Sequence, residues 1–282
     1  MGGHIVLCAD DYGLSDSVSR AILDLAQRGR ISALSCMTGT THWREHGKWL
    51  AEVKDKVDIG LHLTLADDRP ITSMPHLAPR GQLPGIGAMI LKAHRGQLDL
   101  AEIETEARAQ LDAFTAVTGF APAHIDGHLH THILPGIRDV VARLAQSVTP
   151  TPWVRNVYDD PARILRRGVA VPKTLLIAGL GHALSGRPEL KNRMNDSFSG
   201  IYAFSTDRRN YGALFGRFMR ARGRTHLIQC HPGGIPEARD PIGENRAAEY
   251  KFLGGAAFPE YLAREKIVLG RFDQGRFAEA SG

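Results

Sequence analysis

Acidic and imidazole side chains occur at four separated places in the sequence, and together they offer the donor types of a hydrolytic metal site. They are Asp10 with Asp11, His62, the run 124–132, and His231. A metal that activates water needs about three protein ligands and an open coordination position, and one carboxylate with two imidazoles is a familiar set. Asp11, His62 and His128 are therefore the candidate metal ligands.

Asp10 and His231 are of the right type for proton transfer beside such a metal. In an extended backbone the side chains of Asp10 and Asp11 point to opposite sides, so one can bind metal while the other takes a proton from water. His231 precedes a Pro-Gly-Gly turn, where its imidazole could serve as a general acid. Each feature alone has a simpler interpretation, because an Asp-Asp pair often caps a turn and a histidine between leucines, such as His62, is often a core residue.

The sequence HIDGHLHTH carries polar side chains at every second position. In an extended strand His124, Asp126, His128, His130 and His132 would share one face. A single ion with an open position cannot bind all of them, so Asp126, His130 and His132 are predicted to orient ligands or to contact substrate. The alternative is a solvent-facing strand edge, which would more commonly carry Lys, Thr or Glu.

Short apolar runs precede these groups and predict strands that end at the site. Helical periodicity lies between the runs: Ser15 is a good N-cap for a helix that ends near Gly29, and Asp99 begins one that ends at Gly119. This alternation predicts an α/β fold, a single (β/α) barrel whose C-terminal strand ends build the site. The predicted strands are 5–9, 31–37, 57–65, 226–231 and 266–272, and 122–132 is predicted as a strand that runs into a loop.

We expect one catalytic domain over residues 1–282, with insertions at about 66–98 and 155–224. The first insertion is rich in Pro and Gly, and periodicity is weak in the second. An apolar stretch at 174–184 is flanked by basic residues, which are Arg163, Arg166, Arg167, Lys173, Arg187, Lys191 and Arg193. These residues form either an ordinary solvated helix face or a surface for membrane headgroups or an anionic ligand.

Composition excludes several classes of protein. With 43% hydrophobic and 23% charged residues, the chain is neither disordered nor collagen-like. A net charge of +5 does not by itself indicate nucleic-acid binding. Cys8, Cys36 and Cys230 lack CxxC spacing and are odd in number, so neither a disulfide framework nor a thiolate zinc site is expected. The first apolar run is too short for a signal peptide or a membrane span, and we expect a cytoplasmic protein.

Four ordered motifs, ADDYG, GLHL, HIDGHLHTH and QCHPGG, resemble the YdjC-like family of carbohydrate deacetylases over nearly the whole chain. That family includes chitooligosaccharide deacetylases and a branch linked to hopanoid lipid biosynthesis. The resemblance implies a distorted (β/α) barrel, chemistry related to that of polysaccharide deacetylases, and a homodimer. It also implies one divalent metal on Asp11, His62 and His128, with Mg²⁺ favoured over Zn²⁺, Asp10 as base and His231 as acid. Leu129 stands where the family usually has another histidine.

The expected function is therefore metal-dependent hydrolysis of the N-acetyl group of a saccharide or glycolipid, with release of acetate. Water acidified by the metal would lose a proton to Asp10 as it attacks the amide, and His231 would protonate the departing amine. Two alternatives stay open: a metal-dependent phosphoesterase, which would favour two metals, and a carbohydrate- or lipid-binding protein without turnover. The basic and apolar segment suggests a membrane-borne acceptor, and so peripheral association with a membrane.

Overall fold

The computed structural model describes residues 3–204, 210–238 and 240–273. Within these ranges parallel strands form one sheet of eight, in the order β5-β4-β3-β2-β1-β7-β6, and β8 pairs with the beginning of β1. The strands are β1 (Gly3–Tyr12), β2 (Ala33–Cys36), β3 (Asp58–Leu63), β4 (His124–Gly127), β5 (Trp153–Val154), β6 (Ser197–Ser199), β7 (His226–Cys230) and β8 (Ile267–Leu269). Most of their side chains are buried on both faces, as expected for a parallel sheet covered by helices.

The sheet curls into a barrel whose strand pairing, among the described residues, is open between β5 and β6. Hydrogen bonds from neighbouring residues bridge this gap. The Val154 N–H donates to the Arg193 carbonyl oxygen at 2.8 Å. The Asn156 N–H donates to Asn195 Oδ1 at 2.8 Å, and Asn195 Nδ2 donates to the Asn156 carbonyl oxygen at 2.7 Å. Because one backbone bond and the Asn195 side chain take the place of a regular strand ladder here, the barrel is distorted, and the predicted α/β fold is confirmed.

Helices follow most strands and bury their apolar sides against the sheet. The two predicted caps are confirmed: Ser15 Oγ accepts from the Val18 N–H, and Asp99 accepts from two backbone N–H groups at the start of the longest helix, which ends at left-handed Gly119. The helices are α1 (Asp16–Gln27), α2 (Trp43–Trp49), α3 (Ile86–His94), α4 (Leu100–Thr118), α5 (Ile137–Gln146), α6 (Pro161–Arg167), α7 (Val171–Ser185), α8 (Tyr211–Phe218), α9 (Gly243–Gly254) and α10 (Ala257–Arg264).

The extended backbone predicted for the histidine-rich segment ends at Gly127. Residues His128–Ile133 form 3-10 turns that contain two left-handed residues, Leu129 at φ 52° and His130 at φ 58°. The prediction that five alternate side chains share one strand face is therefore wrong beyond this glycine. A Cβ at Gly127 would lie 2.9 Å from the His132 backbone nitrogen, so the chain folds back closely where glycine leaves room.

Residues 155–224, predicted as an insertion, include a strand of the sheet. That strand, β6, has three residues and β5 has two, which is too short for alternation to reveal. Residues 66–98 contribute no strand in the described part of the chain, and α3 is their helix. That residues 1–282 form a single domain stays a prediction.

Arg167 does not belong to the basic surface that the sequence predicted. Its side chain is buried and donates to Asp159 Oδ2 at 2.5 Å and to the Phe198 carbonyl oxygen at 2.7 Å. Lys173 is also partly withdrawn, because its Nζ donates to the Tyr202 carbonyl oxygen at 3.3 Å. None of the helices in residues 3–204, 210–238 and 240–273 combines the length and apolar character needed to cross a bilayer.

Candidate metal and catalytic site

The C-terminal ends of β1, β3, β4 and β7 bring together the four groups that the sequence singled out. At the end of β1 the pairing register shifts between Ala9 and Tyr12, and Asp11 has a left-handed backbone with φ 70°. Simple alternation would direct Asp10 and Asp11 to opposite sides of the strand. The left-handed residue interrupts that alternation, so both buried carboxylates reach the site, each with its own partners.

Asp11, His62 and His128 form a compact group of potential metal ligands. Oδ1 of Asp11 lies 3.3 Å from Nε2 of His62 and 3.1 Å from Nδ1 of His128. One ligand atom from each residue lies within 4.8 Å of the other two. The His128 side chain is 21% exposed, whereas that of Asp11 is 2% exposed. The group is therefore reachable from solvent on the His128 side.

Asp126 orients His62 from behind. Its Oδ1 accepts from Nδ1 of His62 at 2.7 Å, which leaves Nε2 to face Asp11. Ser35 Oγ at 2.6 Å and the Arg155 guanidinium also contact Asp126. Burial alone would lower the pKa of His62, but the carboxylates on its two nitrogens raise that pKa to about 10. The two carboxylates therefore favour positive charge at this position.

Asp10 is paired with a buried arginine that follows β5. Arg155 Nη1 donates to Oδ2 of Asp10 and Nη2 donates to Oδ1, both at 2.6 Å. The guanidinium side chain is fully buried and also contacts Asp126 and Cys8. This bidentate geometry fixes the plane of the Asp10 carboxylate.

Asp11 is paired with a second buried arginine, which belongs to α9. Arg246 Nη2 donates to Oδ2 of Asp11 at 2.7 Å, and its Nε donates to Asp240 Oδ2 at 2.6 Å. Burial alone would raise the pKa of the Asp11 carboxyl. Arg246, together with hydrogen bonds from His128 and His62, outweighs burial and holds this pKa well below its usual range.

His231 lies at the end of β7, close to Asp10. The distance from its Nε2 to Asp10 Oδ2 is 3.9 Å, and its side chain is 15% exposed. Its backbone N–H donates to Glu249 Oε2 at 2.6 Å. Burial lowers the pKa of His231 to about 4, against smaller raising effects of Asp11 and Asp10. A pKa this low favours the neutral ring near pH 7.

An open cleft of about 560 Å³ borders this part of the site. Its lining includes Phe204, Pro236, Glu237, Asp240, Glu244 and Asn245. The Phe204 ring meets His231 edge-on, with the ring centroids 5.5 Å apart. Polar groups beside an aromatic ring are a suitable lining for a sugar.

The three residues predicted to orient ligands or to contact substrate lie in different places. Asp126 and His132 are fully buried. Asp126 holds His62, and His132 Nε2 lies 3.0 Å from the Arg155 carbonyl oxygen, so protein groups occupy both. His130 is half-buried, and its Nδ1 has no hydrogen-bond partner among the described residues. Of the three, His130 is the one whose position suits a contact with substrate.

Arg155, Arg246 and Glu249 are site residues that sequence reasoning missed. Arg155 follows a two-residue strand, and the other two lie within a helix, so no period marks them. One signal was present in the QCHPGG motif. A Cβ at Gly233 would lie 2.9 Å from the Cβ of Arg246, so the glycine marks a close approach to α9.

Comparison with known proteins places these residues in a family context. The model of the YdjC-like protein family matches residues 4–264. A carbohydrate deacetylase from Geobacillus stearothermophilus is 28% identical over 236 residues, which cover 83% of this chain and 81% of that protein. A chitooligosaccharide deacetylase from Yersinia pestis (strain Pestoides F) is 35% identical over 144 residues, or 50% of this chain; the match spans about half, 55%, of that relative.

A solved structure shares the fold. A protein from Enterococcus faecalis V583, whose name relates it to cellobiose-phosphate cleavage, matches with a TM-score of 0.69. The match covers 97% of this chain and 99% of the other at 19% identity. The similarity therefore concerns the fold alone.

Proposed function

The chain belongs to the YdjC-like protein family, and on that premise we propose that it hydrolyses the N-acetyl group of an N-acetylated saccharide or glycolipid with the help of a divalent metal. The observation that carries this proposal is the convergence of Asp11, His62 and His128 beside Asp10 and His231. Names of relatives that act on carbohydrates and chitooligosaccharides support the choice of substrate class.

The residues present fit a metal ion. One carboxylate oxygen and two imidazole nitrogens are suitable donors, and Asp126 already fixes the ring of His62 from its other nitrogen. Two imidazoles in a set of three suit Zn²⁺ at least as well as the Mg²⁺ that the resemblance favours. When bound there, a divalent ion would polarise the amide carbonyl and lower the pKa of water to about 7.

Asp10 is proposed as the general base. Its carboxylate lies beside the metal ligands and is held in one plane by Arg155. Each oxygen that accepts from the guanidinium retains a further lone pair, so the group can still take a proton from water. As this proton moves to Asp10, the water oxygen bonds to the acetyl carbon.

His231 is proposed as the general acid. Its exposed fraction of 15% allows contact with substrate, and because its Nε2 lies 3.9 Å from Asp10 Oδ2, one intervening water would pass on the proton that Asp10 gained. The neutral ring can accept that proton and deliver it to the sugar nitrogen as the carbon–nitrogen bond breaks. The products are a free amino sugar and acetic acid, which loses its remaining proton to solvent as acetate, so Asp10 and His231 return to their starting states.

An acetate-release assay tests the proposed function. Purified protein is incubated with N-acetylated oligosaccharides and glycolipids, with and without chelator, and then with Mg²⁺ or Zn²⁺ added back. Chelation and His128→Ala are expected to abolish acetate release, whereas His94→Ala, at an exposed helix end, should keep it. Acetate release that persists after chelation and in His128→Ala would contradict the proposal.

Arg155 argues against the alternative of a two-metal phosphoesterase. A second group of possible ligands consists of Asp10, His62 and Asp126. Both carboxylates of that group already contact the Arg155 guanidinium. A permanent cation therefore balances the charge on which a second metal would depend.

A membrane-borne acceptor is a finer part of the proposal. Leu165 of α6 and Leu176 of α7 are 60% and 63% exposed. Arg166 is exposed next to Leu165, and α7 packs against the segment that carries His128. Co-sedimentation with anionic vesicles should fall when Leu165 and Leu176 are replaced by Ser; unchanged co-sedimentation would favour a free saccharide.

The proposal also includes a homodimer in the cytoplasm. The three cysteines of the chain are unpaired and buried, which suits a reducing compartment. Light scattering on the purified protein tests the dimer, since a monomer mass would contradict it. Cell fractionation tests the location.

A further inference from the structure

We propose that helix α9 positions both parts of the site, through Arg246 for the metal ligand Asp11 and through Glu249 for the acid His231. The inference rests on the proposed function and adds two positioning residues to it. Both side chains are buried, and each acts through the residue that it contacts.

Arg246 determines which oxygen of Asp11 is free. The guanidinium contacts only the outer oxygen, Oδ2, at 2.7 Å, while Oδ1 faces the two imidazoles. Asp240 holds the same guanidinium through Nε at 2.6 Å. A carboxylate held in this way offers a single oxygen to a metal ion, and contacts behind a ligand commonly determine its orientation.

Glu249 lies three residues after Arg246, on the same side of α9. Its Oε2 accepts from the His231 backbone N–H at 2.6 Å, and its Oε1 accepts from the Tyr202 hydroxyl at 2.6 Å. These two short hydrogen bonds join the His231 backbone, where the chain leaves β7, to Tyr202 through one buried carboxyl group. They therefore hold in place the backbone that bears the His231 imidazole.

The Pro-Gly-Gly turn provides the close contact that this arrangement requires. Gly233 donates its N–H to the Arg246 carbonyl oxygen at 3.1 Å, and a Cβ there would lie 2.9 Å from the Arg246 Cβ. Gly234 donates to the Ser17 carbonyl oxygen at 3.2 Å, which connects the turn to α1. The motif therefore places α9 against the turn, with Arg246 and Glu249 directed to the two strand ends.

Metal titration tests the role proposed for Arg246. Metal-stripped proteins are titrated calorimetrically with Zn²⁺ and with Mg²⁺. Arg246→Lys retains the positive charge but loses the planar guanidinium that contacts Asp11 and Asp240 through separate nitrogens. We therefore expect its metal Kd to rise about 10- to 100-fold. Asp240→Asn should raise the Kd by a smaller factor. Arg108→Lys is the matched control, because Arg108 pairs with Glu104 on α4, and its Kd should equal the wild-type value.

The role proposed for Glu249 predicts a different pattern of metal binding and kinetic constants. Glu249→Gln should leave the metal Kd within about threefold of wild type, yet lower kcat about tenfold or more and shift the pH profile of kcat. Arg246→Lys should recover kcat at saturating metal. Glu249→Asp, which keeps the charge on a shorter side chain, should lie between wild type and Glu249→Gln.

The outcomes separate this inference from the proposed function. If the wild-type protein binds neither metal, the proposed function fails. If the wild-type protein binds metal and both Arg246→Lys and Asp240→Asn bind it equally tightly or more tightly, the inference fails alone. It also fails if Glu249→Gln weakens metal binding as much as Arg246→Lys does, because α9 would then have one structural effect rather than two positioning effects.

Discussion

Asp10 and Asp11 are neighbours in the chain, yet they lie in different surroundings. Arg155, in the barrel interior, contacts both oxygens of Asp10. Arg246, on α9, contacts one oxygen of Asp11 and leaves the other facing His62 and His128. The same side chain is therefore a fully paired carboxylate in one case and a carboxylate with one oxygen left to the two imidazoles in the other.

Surroundings rather than residue type therefore distinguish the two roles that we propose for these carboxylates. The left-handed backbone at Asp11 brings both carboxylates to the site, and the two arginines then distinguish them. Metal-assisted amide hydrolysis needs a general base, a general acid and a separate set of metal ligands. Two carboxylates with different partners suit the first and the last of these roles.

The largest expected effect comes from replacing the two aspartates. Asp10→Asn and Asp11→Asn should each lower kcat for acetate release by about 10²- to 10⁴-fold, the usual contribution of a general base or an equally essential group. Added metal should partly restore Asp11→Asn and should not restore Asp10→Asn, because Asn at position 11 keeps an oxygen ligand. Steady-state acetate assays over a range of metal concentrations measure this, and equal rescue of both variants would remove the distinction.

Removing Arg155 should have the largest effect on stability. Arg155→Met leaves Asp10 and Asp126 buried without their cation, and breaking a buried pair in this way costs about 3–5 kcal/mol. Arg166→Met, at an exposed position on α6, should change the free energy of unfolding by less than about 0.5 kcal/mol. Urea unfolding measures both. A loss below about 1 kcal/mol in Arg155→Met would show that the network tolerates unpaired carboxylates.

The sequence was sufficient for the residues at strand ends. Asp10, Asp11, His62, His128 and His231 were predicted because apolar runs precede them and parallel strands end at one edge of a barrel. The structure brings all five together.

The supporting residues could not be predicted in the same way. Arg155 depends on a two-residue strand, and Arg246 and Glu249 point inward from a helix whose buried side is polar. Local periodicity reports burial of apolar groups, so it does not detect charged groups buried by distant partners. The fold of the histidine-rich segment after Gly127 was missed for a related reason, since left-handed backbone at Leu129 and His130 depends on tertiary contacts.

Glu249, on α9, should make the free energy of unfolding depend on pH. Burial raises the pKa of Glu249 to about 7, despite hydrogen bonds from Tyr202 and His231 that lower it. Because the folded-state pKa exceeds the unfolded value, its favourable contribution is complete below the unfolded pKa and is lost as pH rises through about 7. Between pH 5 and pH 8 this loss amounts to about 2 kcal/mol.

Urea unfolding of wild type and Glu249→Gln at the two pH values isolates this contribution. The wild type should lose about 2 kcal/mol more than the variant on going from pH 5 to pH 8, because Gln does not ionise. Parallel pH dependence in the two proteins would show that Glu249 keeps an ordinary pKa.

The smallest expected effect concerns Ser35, on the Arg155 side. Its Oγ donates to Asp126 Oδ2 at 2.6 Å and lies 2.8 Å from His124 Nε2. Arg155 and His62 still hold Asp126 when this hydroxyl is removed, so Ser35→Ala should cost only about 1 kcal/mol of unfolding free energy. Thermal melts measure this. A loss as large as that of Arg155→Met would mean that the hydroxyl, not the guanidinium, organises the interior network.

We propose that Asp11 holds the metal and that Asp10 does not. Calorimetric titration of metal-stripped wild type, Asp10→Asn and Asp11→Asn with Zn²⁺ and with Mg²⁺ tests it most directly. We expect Asp10→Asn to bind within about threefold of wild type and Asp11→Asn to bind at least about 10- to 100-fold more weakly. Equal binding by all three proteins, or a larger loss in Asp10→Asn than in Asp11→Asn, would contradict the assignment of the two carboxylates.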